Sequence, residues 1–120
     1  MKKGLTNEQA GDYARALIAF ETKNRTLFGH DCWSENEVER LERHKIYTVF
    51  SYGTHFPIYA WCYESEKWIG NRGKYSPTTA KHQKVCKPKQ VDMWVDAENM
   101  RRIVSAGGLP QYIAERLETA

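Results

Sequence analysis

Fifteen aromatic rings, from four Trp, seven Tyr and four Phe, must supply most of the buried surface in this chain. Leu, Ile, Val and Phe together make only 22 of its 120 residues. A share that low signals disorder when it accompanies a large net charge. Here 18 Lys and Arg face 15 Asp and Glu, a formal +3, so self-repulsion is weak. Each ring buries roughly 150–250 Å², and the chain can therefore close a core around rings. Its length fits one domain and leaves no room for a second core. No apolar run approaches the roughly 18 residues of a membrane span, and the start MKKGLTNEQAGDY lacks the apolar stretch of a signal peptide. The expectation is a single domain, 1–120, working in the cytoplasm without membrane contact.

Thr6 and Gln9 form a T-x-x-Q capping box, and Ala10, Tyr13, Ala14, Leu17 and Ile18 keep helical spacing, which predicts a helix over 7–22. Ser34 and Glu37 form a second box, followed by Val38 and Leu41 and a favourable Glu39–Arg43 pair, which predicts a short second helix. From Lys45 the period changes. KIYTVFSY and FPIYAWCY are rich in β-branched and aromatic residues and flank Gly53-Thr54-His55, the pattern of a hairpin. Trp68-Ile69 and VDMWV predict two further strands. Between them Ser76-Pro77 is a cap followed by proline at the first helical position, so Thr78 to Val85 reads as two turns of helix. Asp96 caps a helix over 97–106 that stops at Gly107-Gly108, and a last one starts at Pro110. The implied class is α+β: a small, mainly antiparallel sheet of about four strands with N- and C-terminal helices on one face. Residues 1–44 are its helical N-terminal part, 45–95 the sheet core with a short basic helix, and 96–120 a helical hairpin.

Charge is unevenly spread. From Lys67 to Gln90 there are seven cations, Lys67, Arg72, Lys74, Lys81, Lys84, Lys87 and Lys89, with no Asp or Glu, while the remainder is −4. Such clustering suits a polyanionic partner, although a solvated lysine-rich face has the same composition. Within it, Gly70 and Gly73 allow close backbone approach, Arg72 and Lys74 can neutralise phosphate, and Tyr75 can stack on a base. Ser76, Thr78 and Thr79 bring hydroxyls to a helix start, where anions bind, and Lys81, His82 and Lys84 follow. A plain cap at Ser76 is the alternative. These nine residues from Arg72 to Lys84 are the candidate nucleic-acid or partner-binding site. The segment has no P-loop pattern, and no cofactor is expected.

The stretches YTVFSYGTHFPIY (47–59), WIGN (68–71) and KYSPTTAKHQ (74–83) together resemble a small domain encoded by bacteriophages, plasmids and integrated elements. That family shows Tyr-Ser-Tyr-Gly-x-His-Phe-Pro, a Trp or Tyr a dozen residues later, and then Lys-Tyr-Ser-x-Thr-Thr-x-x-His. The resemblance covers about residues 45–84 and implies origin in a mobile element and a shared sheet-plus-helix core. It carries no catalytic residue across.

Cys32, Cys62 and Cys86 are odd in number and show no C-x-x-C, which favours reduced thiols. The ligand-like spacings His30-x-Cys32 and His82-x-x-x-Cys86 would need convergence from distant segments, and no metal site is expected. His55, Asn71 and His82 occur in the order of an HNH nuclease, but Thr54 stands where that motif has a further ligand. The C-terminal AENMRRIVSAGGLPQYIAERLETA has helix-turn-helix spacing, yet Glu115 and Glu118 on its second helix repel phosphate, which favours a hairpin packed on the sheet. The leading expectation is a non-enzymatic phage or mobile-element accessory protein. It would bind a host protein or ribonucleoprotein, such as a CRISPR effector, and inhibit it. Its alternatives are a stand-alone, sequence-tolerant DNA or RNA binder and a metal-dependent HNH-like nuclease.

Overall fold

The computed structural model describes residues 1–35, 43–53 and 56–105. They form an α+β domain around one seven-stranded sheet whose spatial order follows the chain. Its centre is antiparallel. β2 (Phe20–Thr22), β3 (Leu27–Glu35), β4 (Arg43–Ser51), β5 (Pro57–Cys62) and β6 (Lys67–Asn71) each pair with the next. At the two edges β1 (Lys2–Leu5) lies parallel to β2, and β7 (Met93–Val95) parallel to β6. A parallel pair requires a crossover long enough to hold a helix. α1 (Asn7–Arg15) is that crossover on one side and α2 (Pro77–Val85) on the other.

The strand directions dictate where those helices lie. β1 and β6 point the same way, and both crossovers step in the same direction across the sheet. Crossovers of one hand therefore place both helices on one face. There they meet: Arg15 Nη1 donates to the carbonyls of Val85 (2.9 Å) and Lys87 (3.3 Å), and Gly11 lies against the Val85 carbonyl with no room for a Cβ. Alternation along each strand then sorts the core. Tyr47, Val49, Tyr59 and Trp68 face α1 and α2 with Leu5, Ala10, Ala14, Phe20 and Cys86. Ile46, Ala60, Cys62 and Ile69 face the other way, onto Met100 and Ile103 of α3 (Ala97–Ser105). No helix among the described residues is long and apolar enough to cross a membrane.

Several expectations need correction. The sheet has seven strands rather than about four, and helices cover both faces rather than one. Residues 1–44 are not a helical part, because β1, β2 and β3 occupy much of them. The first helix starts at its capping box as expected, with Thr6 N donating to Gln9 Oε1 at 3.0 Å, but it ends at Arg15 instead of 22. Leu17 turns left-handed there (φ 60°), and the amides of Leu17 and Ile18 donate back to the carbonyls of Ala14 and Tyr13. That is a helix stop made without glycine. Ser34 is no cap; it pairs with His44 in the long β3–β4 ladder. The rest of the expected second helix, Gly107-Gly108 and the last helix from Pro110 lie outside the described residues.

Candidate binding interface

α2 starts as its sequence dictates. Ser76 is extended and accepts the Thr79 amide on its side-chain oxygen at 3.1 Å, with Pro77 as the first helical residue. The cap is thus filled by the protein's own hydroxyl. One helical face, Thr79, His82, Gln83 and Cys86, is buried; Pro77, Lys81 and Lys84 are exposed on the opposite side.

The buried face is polar, and it clamps the helix to the sheet. Ser51 Oγ, at the end of β4, lies 3.0 Å from Thr79 Oγ1 and 2.8 Å from His82 Nδ1. Tyr59 donates its hydroxyl proton to the Gln83 carbonyl at 2.6 Å. Gln83 Nε2 in turn donates to the carbonyls of Asn71 and Gly73, both at 2.8 Å, while its Oε1 accepts from Lys74 Nζ at 3.2 Å. Asn71 completes the clamp: its Nδ2 donates to the Pro57 carbonyl (2.9 Å) and its Oδ1 accepts the Gly73 amide (2.8 Å). The loop from Arg72 to Tyr75 is therefore tied at both ends. Burial lowers the His82 pKa, so this imidazole is neutral at neutral pH and adds no positive charge.

Of the expected site residues, Arg72, Lys74, Tyr75, Lys81 and Lys84 are exposed, and Ser76 and Thr78 are half-buried. Thr79 and His82 are 0 % and 1 % exposed and face the sheet, which leaves them no surface for a partner. The structure adds aromatic groups that the sequence reading did not select. Tyr75 (58 % exposed) packs beside Tyr52 (38 % exposed) with ring centroids 6.5 Å apart, and beside the buried Phe56 at 5.2 Å. Tyr52 also covers His82 at 5.8 Å. Its backbone is left-handed (φ 62°), a conformation that costs a non-glycine residue about 1–2 kcal/mol. The contact of its amide with the Thr26 carbonyl at 2.8 Å holds that conformation in place. The turn thus displays an aromatic ring beside Tyr75 of the basic loop. The available signal was Tyr52-Gly53, an aromatic residue at a turn just past the end of β4.

The other chemistries have less to work with. Ser51 beside His82 is 0 % exposed, so its hydroxyl cannot reach a substrate. Asn71 and His82 of the HNH-like order both turn inward to the partners named above, and His55 lies outside the described residues. His30 and Cys32 do meet, Nδ1 to Sγ at 3.3 Å, but no group of three or more His, Cys, Asp or Glu suited to a metal ion occurs among the described residues. All three cysteines are free thiols, and burial pushes the Cys86 pKa up to about 12. No family model matches this chain, and neither a curated protein nor a solved structure does.

Proposed function

We propose that the protein acts by binding, without catalysis, and that its direct target is the sugar-phosphate backbone and exposed bases of nucleic acid held in a host nucleoprotein. The observation that carries this is the loop before α2. Arg72, Lys74 and Tyr75 are all exposed on it, Tyr75 packs beside Tyr52, and a hydrogen-bonded clamp ties it to α2, where Lys81 and Lys84 are exposed as well. Cations supply the sequence-independent attraction to phosphate, and aromatic faces accept unpaired bases. The resemblance of residues 45–84 to a mobile-element domain supports a phage or related origin. An accessory protein of that kind would inhibit a host defence complex by occupying its guide RNA or target DNA, in the host cytoplasm.

Two measurements test the proposal together. A pull-down from host lysate, with and without nuclease treatment, should lose its captured partner when nucleic acid is digested. Mobility shifts on single strand, duplex and RNA should weaken steeply between low and physiological salt. Arg72→Ala, at an exposed position, should change stability by no more than about 0.5 kcal/mol, and Tyr75→Ala, which loses ring contacts with Tyr52 and Phe56, by about 1 kcal/mol, while both weaken binding severalfold. Full binding by both variants, or capture that survives nuclease, would sink it.

A further inference from the structure

A second aromatic site lies beyond the other end of α2. A cavity of about 570 Å³ is lined there by Trp61 and Trp68, with Arg15, Lys67 and Lys89 among its walls. The two indoles sit 5.4 Å apart, tilted by 55°. Trp68 is 9 % exposed and backs the cavity, whereas Trp61 is half-buried and so keeps part of its ring open. Both project on the α1–α2 side of the sheet. The cavity's remaining wall comes from the segment that follows α2, which Arg15 anchors through the Val85 and Lys87 carbonyls.

We propose that this cavity takes a base of a single nucleic-acid strand whose backbone follows α2, from Tyr75 past Lys81 and Lys84 to Trp61; this rests on the nucleic-acid reading above. Three observations support it. First, the size is that of a small-molecule site, about 300–1,000 Å³, which leaves room for a nucleobase. Second, the charges orient the ligand. Glu66 and Asp92 also line the cavity, and their carboxylates repel phosphate but accept hydrogen bonds from a base's amino group. Asp92 is already held in the wall by the Trp68 amide at 2.8 Å and by Gln90 at 3.2 Å. The base therefore enters and the phosphates stay outside with Lys81, Lys84 and the exposed Lys89. Third, the two stations flank α2, Tyr75 just before it and the cavity beside the Pro88–Gln90 segment that follows it. The nine residues of α2 span about 13 Å, the rise of about four stacked nucleotides. The two aromatic stations thus read as ends of one short footprint.

The probe is a fluorescein-labelled twelve-nucleotide oligo(dA), followed by anisotropy and by the protein's tryptophan emission. Wild-type binding should quench tryptophan emission. Trp61→Ala should weaken affinity about tenfold, as expected for the loss of one stacked base. Because Trp61 also packs on the core, its melting temperature must be measured alongside. Lys89→Glu, at an exposed position, supplies an independent variant that should weaken binding severalfold with the fold intact. If the oligonucleotide binds and Tyr75→Ala weakens it, but neither Lys89→Glu nor Trp61→Ala does and emission is unchanged, the second station is wrong and the first stands. If the oligonucleotide does not bind wild-type protein at all, both readings fall.

Discussion

Gln83 joins the loop before α2 to the helix, and its replacement gives the sharpest check on how that loop is held. In Gln83→Ala the carbonyls of Asn71 and Gly73 both lose a donor at 2.8 Å. The surroundings of Asn71 are dry, since the whole residue is 1 % exposed, so its carbonyl is left without this donor at about 1–3 kcal/mol. Gly73 is half-buried and recovers water, so it loses only about 0.5–1.5 kcal/mol. Alanine returns a few tenths through its better helix propensity. The net loss is about 3 kcal/mol, or roughly 10 °C in melting temperature for a domain of this size. Urea unfolding followed by circular dichroism measures it directly, with an unchanged slope showing that compactness is kept.

Gln83→Glu keeps the shape and inverts the chemistry. An ionised carboxylate would set acceptors against two carbonyl oxygens, with Lys74 offsetting part of the repulsion. The carboxyl's folded pKa is then raised above its unfolded value of about 4.3. A raised folded pKa contributes stability below the unfolded pKa and loses it as pH rises through the folded one. The deficit of Gln83→Glu relative to wild type should therefore be largest near neutral pH and shrink toward about pH 4.5. If Gln83→Ala lies within about 0.5 kcal/mol of wild type, or the Glu deficit does not move with pH, the clamp does not hold the loop as described.

Two histidines should pull the pH dependence of stability in opposite directions. Burial lowers the His82 pKa below 6.5, so its contribution is present above 6.5 and lost as pH falls through the folded value; His82→Gln should flatten that acid-side loss in urea titrations. His30 is raised, first by its hydrogen bond with Cys32, so it stabilises below 6.5 and loses that as pH rises through its folded value, an effect Cys32→Ala should reduce. Gly29→Ala should destabilise by about 1–3 kcal/mol in thermal melts, because the new Cβ would stand 2.7 Å from both Phe20 Cε1 and the Tyr47 hydroxyl oxygen. Those two side chains are fully buried and cannot swing aside, and the Tyr47 bond to the Ile18 carbonyl (2.8 Å) would move with them. A neutral Gly29→Ala would mean that this corner of the sheet is looser than its packing implies.

The middle of the fold was legible because local and tertiary preferences agree there. The strands around 45–71 carry β-branched and aromatic residues on both faces, and α2 carries a cap and a proline at its start. The N-terminal third misled for definable reasons. β3 contains Gly29, His30 and Asp31, which score poorly as strand, yet its pairing with β4 runs unbroken from Leu27↔Ser51 to Glu35↔Arg43. Nine cross-strand pairs outweigh a local preference worth a few tenths of a kcal/mol per residue. The same ladder overrides the capping box at Ser34. The end of α1 was missed because the chain stops it with a left-handed Leu17, where the usual signal is glycine. The parallel edges leave no mark in residue type, since a three-residue strand such as β2 is too short to show a period.

The candidate site was half legible, and the illegible half follows from a polar interior. Sequence reading assigns Thr, His and Gln on a basic helix to the solvent side, because periodicity is normally read from apolar residues. In α2 the period is intact but written in Thr79, His82 and Gln83. Each can turn inward only because the sheet or the loop after β6 meets it: Ser51 for the first two, and the Asn71 and Gly73 carbonyls for the third. A polar group buried without such a partner would cost about 1–3 kcal/mol, so these residues specify one seating of the helix and penalise every other register. The stretches quoted for the mobile-element resemblance are rich in members of this clamp: Ser51, Pro57, Tyr59, Asn71, Ser76, Thr79, His82 and Gln83. A pattern built from them describes a way of joining a helix to a sheet. The residues between them divide: Lys74 joins the clamp through Gln83 Oε1, whereas Arg72 and Tyr75 are exposed and outside the helix-to-sheet bonds named above.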